Sequence, residues 1–329
     1  MTKTMRAAVL REPGPPENLQ LLDLRVPQPR PGWVRIRVTA FGINRSDLHL
    51  RLGYAEGVKF PIVPGIEAVG VVDDAPGTDL RAGQQVAAVL GGMGRAYNGG
   101  YAEYTVVPRG AVIPFSSSLP WEILAAVPET LQTAYGSLTI GLDLGPGQSL
   151  LIRGGTSALG FATAALAKDI GATVLSTTRQ PGRLDQLAEH GVDHPVLDRG
   201  AVAADVRKIL PDGVDRALEL VGTPTLPDTL AATRVHGTVC FTGMLSNKWS
   251  IPDFYPIDYL PRGVGLTAYS GGAADLPAAV LQRFLDRIAD GDIDLGPTRV
   301  YRLDDIRQAH SDIENNHVSG KVVVITDPA

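Results

Sequence analysis

The glycine-rich loop GGTSALG at residues 154–160 carries the first chemistry visible in the chain. Gly155, Ser157 and Gly160 fall at the three marked positions of a GxGxxG pattern, with serine standing in for the middle glycine. The loop follows an apolar run, SLLIRG at 149–154, and opens a helical stretch, SALGFATAALAKDIGA. That strand-to-helix context is where a dinucleotide pyrophosphate rests on backbone N–H groups. The dipole and the opening amides of such a helix, here those of Ala158 and Leu159, hold an anion without a charged side chain. Thr156 and Ser157 add hydroxyl donors, and Gly160 permits close helix packing. The competing reading is an ordinary turn of small residues between a strand and a helix.

The next apolar run, TVLSTT at 173–178, is followed by Arg179. An NAD enzyme carries Asp or Glu at this strand end for the ribose diol, and that carboxylate would repel the extra phosphate of NADP. Arg179 can instead pair with the phosphate. Arg183 in the following helix offers a second cation, and Ser176 or Thr177 adds hydroxyl bonds. The residues therefore select NADPH over NADH. Both arginines also read as solvated surface side chains, and the loop and strand end decide between these only together.

The elements that must position these groups follow from the periodicities. The first third alternates and turns like β structure, in MRAAVL, WVRIRVTAFGI, IEAVGVVDD, QQVAAVL and YAEYTVVP, with Pro and Gly between. It predicts a β-rich, barrel-like or partly open sheet domain. From Trp121 the texture changes to strand and helix units: SLLIRG, the helix closed by Gly171, TVLSTT, a helix over PGRLDQLAEHG, then DRALELVG, a helical TLPDTLAATRVHG, and TVCFTGM. Such alternation predicts right-handed crossovers and a doubly wound parallel sheet. After Ser270 the alternation stops, with an amphipathic helix in LPAAVLQRFLDRIADG and a closing strand, KVVVIT.

With 329 residues the chain exceeds the size at which one core stops growing, so two domains are expected. A net charge of −5 gives no electrostatic reason to expect nucleic acid or an anionic membrane surface as partner. Cys240 is the single cysteine, which excludes an intrachain disulfide and a cysteine-built zinc lobe, and its apolar setting reads as packing. The N-terminus shows no apolar signal segment and no run long enough to span a bilayer, so the expected location is the cytoplasm.

Several further segments, AVL, GINRSDLHLRLGY, FPIVPGIEAVGVV, GGYAEY, TAYG and the final GKVVV, occur in order with the glycine loop across nearly the whole chain. Together they resemble the zinc-independent quinone oxidoreductase and enoyl reductase branch of the medium-chain dehydrogenase/reductase superfamily. The resemblance implies an α/β protein with a GroES-like β-rich catalytic domain over 1–120, completed by 271–329, and a Rossmann NADPH-binding domain over 121–270. It further implies NADPH-dependent reduction of a small-molecule quinone or α,β-unsaturated carbonyl compound, and a homodimer built through the second domain's edge strand and the segment near 250–268.

In the superfamily's zinc alcohol dehydrogenases a cysteine would stand at 44 and a histidine at 66, with a third ligand near 129. Here these are Asn44, Ile66 and Glu129, and neither Asn nor Ile replaces a thiolate or imidazole on zinc. The resemblance therefore implies hydride transfer without metal. The oxyanion formed must then be met by hydrogen bonds or a proton. Asn44 is a candidate donor to that oxygen or to the cofactor amide, or else a turn residue bonding its own backbone. Tyr54, closing RLGY, is a second candidate, or a packed tyrosine with its hydroxyl in water. Ser46 and His49 match a proton relay of the alcohol dehydrogenases, which keeps alcohol oxidation as an alternative, although nothing here would lower an alcohol's pKa. Glu67 is expected to pair with Arg45 or Arg51, and the other histidines, His310 among them, to lie at the surface. The resemblance also places Thr133, Val221 and Gly222, Thr242, Gly243 and Met244, and the pair Gly320 and Lys321 at the cofactor, Lys321 by contact with a phosphate. Tyr97, Trp249, Phe254, Tyr255 and Tyr259 suggest an aromatic pocket. Two further alternatives are an enoyl reductase acting on a CoA- or carrier-bound acyl chain, which calls for a basic rim that the scattered Arg51, Lys59, Arg95 and Arg262 are too few and too dispersed to decide, and a non-catalytic NADPH-binding protein.

Overall fold

The computed structural model describes residues 3–315, 317–318 and 320–326. The chain divides into two compact units, Met1–Glu129 with Gly272–Ala329, and Thr130–Gly271. The first crossing, expected at Trp121, thus falls after Glu129. The short helix Trp121–Leu124 packs on strands of the first unit, and the Glu129 amide donates to Glu67 Oε2 at 2.9 Å.

In the first unit a seven-stranded sheet runs in the order Thr298–Arg302, Lys321–Ile325, Trp33–Ile43, Glu67–Asp74, Gln85–Val89 and Val112–Pro114, with Tyr104–Pro108 also paired to Trp33–Ile43. Pairing is antiparallel except between the two C-terminal strands. Along Trp33–Ile43 the early residues alternate between buried and exposed faces, as one-sided antiparallel strands do. The closing strand Lys321–Ile325 is inserted beside residues Ala40–Ile43, so the C-terminal segment completes the first unit's sheet. A separate hairpin pairs Thr4–Leu10 with Leu19–Arg25. The core joins both ends of the chain, from Leu10, Phe41, Ile36 and Tyr101 to Ile306 and Val324.

The second unit is a six-stranded parallel sheet in the order His194–Leu197, Thr173–Thr178, Ser149–Arg153, Val214–Glu219, Thr233–Phe241 and Gly265–Ala268. Numbered along the chain this is the 3-2-1-4-5-6 order of a doubly wound dinucleotide-binding sheet. Ser149–Arg153 is buried throughout, as a central parallel strand should be. Ser157 caps the following helix, Ala158–Ile170, its Oγ accepting from the Gly160 amide, and Gly171 ends it at φ +87°. One expected helix is shortened. Within TLPDTLAATRVHG the helix covers only Leu226–Ala231, and Thr233 already begins the next strand, where the β-branched Thr233 and Val235 favour extended backbone.

Candidate functional site

In the second unit the expected cofactor residues gather at the C-terminal ends of neighbouring parallel strands. The Gly154 amide donates to Thr177 Oγ1 at 3.0 Å and the Gly155 amide to the Thr177 carbonyl at 2.9 Å, which fastens the glycine loop onto the second strand. A Cβ on Gly155 would lie 1.7 Å from Ser176 Oγ, so glycine is needed for this approach. The amides of Thr156, Ala158 and Leu159 donate to no described residue, which leaves the opening of the helix as a set of free donors. Val221 and Gly222 follow the fourth strand, and Thr242, Gly243 and Met244 the fifth. The amides of Thr242 and Gly243 reach back to the Glu219 carbonyl at 3.1 and 3.0 Å.

Three hydroxyl expectations change. Ser157 Oγ donates to the Gly154 carbonyl at 2.9 Å while accepting from Gly160, so it shapes the loop instead of standing free for a phosphate. Thr177 Oγ1 is committed to Gly154. Ser176 is fully buried beneath Gly155, where its hydroxyl serves loop packing. By contrast Arg179 is exposed and Arg183 half-buried, and no described carboxylate pairs with either. Thr133, half-buried on the helix Pro128–Gly136, donates to Gln132 Oε1 at 3.3 Å. Thr242 Oγ1 lies 3.0 Å from Ser137 Oγ.

Sequence reasoning passed over the charged network beneath this loop. Arg153, ending the first parallel strand, is 0% exposed. Its Nε and Nη2 grip Asp198 at 2.6 and 3.1 Å, and its Nη1 reaches Asp228 at 2.7 Å. Burial works to lower its pKa, but the two aspartates outweigh this and hold it above the usual value. At the end of the fourth strand Glu219 accepts from the amides of Val221 and Gly222 and from the hydroxyls of Thr225 and Thr229. Its pKa is nonetheless raised, because desolvation outweighs these donors. The signal was an arginine closing an otherwise apolar strand, which burial obliges to find carboxylates.

The first unit holds its own buried cluster around Asn44, which precedes the helix Arg45–Arg51. Asn44 Nδ2 donates to Glu67 Oε1 at 2.9 Å, and Asn44 Oδ1 accepts from Lys321 Nζ at 2.6 Å. Lys321 Nζ also lies 2.8 Å from Glu67 Oε1 and 3.6 Å from Glu129 Oε2. Lys321 and Glu67 are 6% and 1% exposed in their side chains. Burial alone would lower the ammonium's pKa, yet Glu67 and Glu129 keep it raised. A Cβ at Gly42 would fall 2.1 Å from Glu67 Oε1 and 2.6 Å from Lys321 Cε, so the neighbouring glycine makes room for the pair.

These contacts correct two expectations. Lys321 does not reach outward to a phosphate; its ammonium is spent on the buried Glu67 and the half-buried Glu129. Glu67 pairs with Lys321, and Arg51 is used elsewhere, on the Gly14 carbonyl, Glu314 and His310. Asn44 forms a capping box with Asp47 at the start of the helix Arg45–Arg51, and its side chain also bridges an anion and a cation. Gly320, at φ +79°, sits against the Pro297 carbonyl, a backbone reason for its identity.

Asp47, entirely buried, accepts from the Asn44 amide at 3.0 Å. Desolvation raises its pKa against the pull of Arg95, whose Nη1 is 3.9 Å from Asp47 Oδ1. Arg95 Nη2 also donates to Ser46 Oγ at 2.7 Å, which occupies the serine of the proposed relay. His49 is buried, its ring 6.0 Å from that of Tyr54, and Tyr54 is 54% exposed. His310 proves fully buried, against expectation, between Arg51 Nε at 3.3 Å and the Tyr101 hydroxyl at 3.1 Å. Burial first and the Arg51 charge second bring its pKa down to about 3. With Nδ1 accepting from Arg51, the neutral ring carries its proton on Nε2.

The aromatic expectation separates into parts. Trp249 and Tyr259 line a cavity of about 630 Å³ in the second unit, with Thr223, Pro224 and Lys248. Phe254 and Tyr255 are 44% and 57% exposed. Tyr97, in the first unit, packs edge-on against Trp33. Among the described residues no three His, Cys, Asp or Glu side chains converge as a metal-binding group, and no helix is long and apolar enough to cross a membrane.

Two family models match the chain: the alcohol dehydrogenase GroES-like domain over residues 30–117 and zinc-binding dehydrogenase over residues 190–324. A probable quinone oxidoreductase of Schizosaccharomyces pombe is 25% identical over 326 residues, 95% of this chain and 94% of that protein. A 2-haloacrylate reductase of a Burkholderia species is 29% identical over 249 residues, 73% of each. Among solved structures AibC superposes with a TM-score of 0.87 at 28% identity, covering 100% of this chain and 97% of the other.

Proposed function

We propose that this chain belongs to the medium-chain dehydrogenase/reductase superfamily, on the branch of the quinone oxidoreductases, and that it reduces quinones or the activated C=C bond of α,β-unsaturated carbonyl compounds with NADPH and without zinc. The observation that carries this reading is the content of the metal position. Asn44, Ile66 and Glu129 offer no thiolate and no imidazole, and a lysine ammonium already lies among their oxygens. That donor set does not suit zinc. With no Lewis acid to make an alkoxide of a bound alcohol, the suitable acceptors are those that take up hydride directly.

Bound NADPH supplies the hydride, from C4 of its nicotinamide. We assign its pyrophosphate to the loop Gly155–Gly160, where the amides of Thr156, Ala158 and Leu159 are unused and the helix dipole favours an anion. Arg179, with Arg183 beside it, takes the ribose phosphate, since neither is spent on a described carboxylate and no acidic residue closes the strand before them. Thr133, Val221, Gly222, Thr242, Gly243 and Met244 flank the remaining length of the cofactor. Hydride addition moves an electron pair onto the acceptor's carbonyl oxygen, which then needs a hydrogen bond or a proton. Asn44 has one Nδ2 hydrogen held by Glu67 and a second to offer. The exposed phenol of Tyr54 is the other donor.

An acyl-carrier substrate is less well supported, because Arg51 is buried and Arg95 is held by Ser46 and Asp47, which leaves still fewer of the scattered cations to form a basic rim. We also place the chain in a cytoplasmic homodimer. Among the described residues the sheet-edge strand Gly265–Ala268 pairs on one side only, and Phe254, Tyr255 and Ile257 are exposed in the segment before it.

The test is steady-state oxidation of NADPH and NADH with benzoquinone, phenanthrenequinone and a simple enone, with and without chelator. Chelator-insensitive turnover favouring NADPH is expected. Alcohol oxidation abolished by chelator would overturn the reading, and tight NADPH binding without turnover would replace it with a non-catalytic binding protein.

A further inference from the structure

Three oxygens from distant parts of the first unit converge on one nitrogen: Asn44 Oδ1 at 2.6 Å, Glu67 Oε1 at 2.8 Å and Glu129 Oε2 at 3.6 Å from Lys321 Nζ. Two are carboxylate oxygens and one is an amide oxygen. Such a set, with the ammonium taken away, is hard, anionic and suited to an oxygen-seeking divalent cation. The fold does not leave that charge to a diffusible ion. It delivers a side-chain cation on the strand Lys321–Ile325, inserted beside Trp33–Ile43, with Gly42 kept free of a Cβ that would strike both Glu67 and Lys321.

We propose that Lys321 is a tethered cation that takes the place of a metal ion in this pocket, excluding divalent cations from the oxygens of Asn44, Glu67 and Glu129 and fixing the Asn44 amide for its work on the acceptor. The second part rests on the hydride-transfer reading above; the first does not. The orienting role follows from the hydrogen-bond inventory. An asparagine amide can be turned end for end, and only the orientation with Oδ1 toward an ammonium and Nδ2 toward a carboxylate satisfies both neighbours. Lys321 therefore decides which end of Asn44 presents its spare hydrogen, acting through Asn44 as a positioning residue. Glu67 completes the device, taking donors on both oxygens, from Asn44 and Lys321 on Oε1 and from the Glu129 amide on Oε2.

The experiment is a manganese titration of the full-length chain, read by the electron-spin signal of free Mn²⁺, on wild type, Glu67→Gln, Lys321→Ala and Lys321→Ala with Glu67→Gln. Wild type should take up no stoichiometric Mn²⁺. Lys321→Ala should bind one equivalent at least about tenfold more tightly than wild type, as expected when two carboxylates lose their resident cation, and the added Glu67→Gln should abolish the gain. One equivalent bound by wild type in a way that Glu67→Gln removes would overturn the proposal without requiring the lysine variant to fold. A folded Lys321→Ala protein that binds no more Mn²⁺ than wild type would overturn it as well. For the orienting role, Lys321→Ala and Asn44→Ala should each lower kcat for quinone reduction about 10- to 100-fold with a smaller change in the KM for NADPH, and the double variant should fall no further. Additive losses would remove the orienting role. If wild type itself reduces no acceptor, the hydride-transfer reading fails, while the manganese titration still decides whether Lys321 holds the metal's place.

Discussion

Arg153 and Lys321 are both buried cations set between two carboxylates, one in each unit, yet they are used in opposite ways. Arg153 spends its planar fork on Asp198 and Asp228, each pinned to a different segment that follows the first parallel strand, with a further bond to the Gly200 carbonyl. All its partners are structural, and it lies beneath the glycine loop as a brace for strand ends. Lys321 is a point charge among one amide and two carboxylates, and the amide belongs to a candidate reacting group. The contrast teaches that burial of a charge does not by itself mark a site. A guanidinium suits fixed bidentate geometry, whereas an ammonium suits a small pocket in which one charge must answer several oxygens.

The strongest way to break this comparison is to remove the brace. Arg153→Met would leave Asp198 and Asp228 facing each other's charge in a partly buried place, and loss of one partner from such a network costs about 3–5 kcal/mol. Urea unfolding should show a drop of that order, and adding Asp198→Asn and Asp228→Asn should return much of it. If Arg153→Met unfolds no more easily than wild type, the two aspartates are solvated in solution and the network is not a brace.

A smaller effect sharpens the functional side of the same unit. Arg179→Ala removes a cation with no described protein partner, so stability should stay within about 0.5 kcal/mol of wild type, as for ordinary surface substitutions. NADPH binding should weaken roughly 10- to 100-fold, the value of a charge-assisted phosphate contact, while NADH binding stays the same. Calorimetric titration with both cofactors measures this. Equal loss for the two would place Arg179 away from the ribose phosphate.

The same contrast explains which parts were legible beforehand. TVLSTT emerged as the strand Thr173–Thr178 and SLLIR as Ser149–Arg153 because buried parallel strands are apolar runs bounded by turn residues. Gly155, Ser157 and Gly160 were legible as a loop, although Ser157 turned out to be a cap, since a hydroxyl at that position serves either a phosphate or a helix amide. The edge strand Thr298–Arg302 went unread because Arg299 and Arg302 stand on either side of Val300 and Tyr301 and break the apolar pattern; its parallel pairing with Lys321–Ile325 supplies what periodicity lacks. The Asn44 to Lys321 bond joins residues 277 positions apart, and no local rule gives a long-range partner. Glu67 invited pairing with a nearby arginine because sequence shows distance along the chain, while the sheet brings a C-terminal lysine closer.

The mildest test asks whether acid reaches the first unit through its buried neutral groups instead of its ion pairs. His310 faces Arg51 on one side and Tyr101 on the other, and its pKa falls from 6.5 to about 3 on folding, mainly by desolvation. The unfolded chain accepts a proton as the pH drops through 6.5, while the folded chain refuses it until about 3. Stability is therefore full above 6.5 and is lost progressively between those values, with a slope of up to about 1.4 kcal/mol per pH unit from this one group. Below about 3 both states are protonated and the slope from His310 ends. His310→Gln keeps a side chain able to donate and accept but does not titrate, so urea midpoints measured from neutral pH downward should fall less steeply than in wild type. An unchanged slope in His310→Gln would shift the acid sensitivity to the carboxylates around the two buried cations, and would make those ion pairs, not the neutral histidine, the part of the fold that pH addresses first.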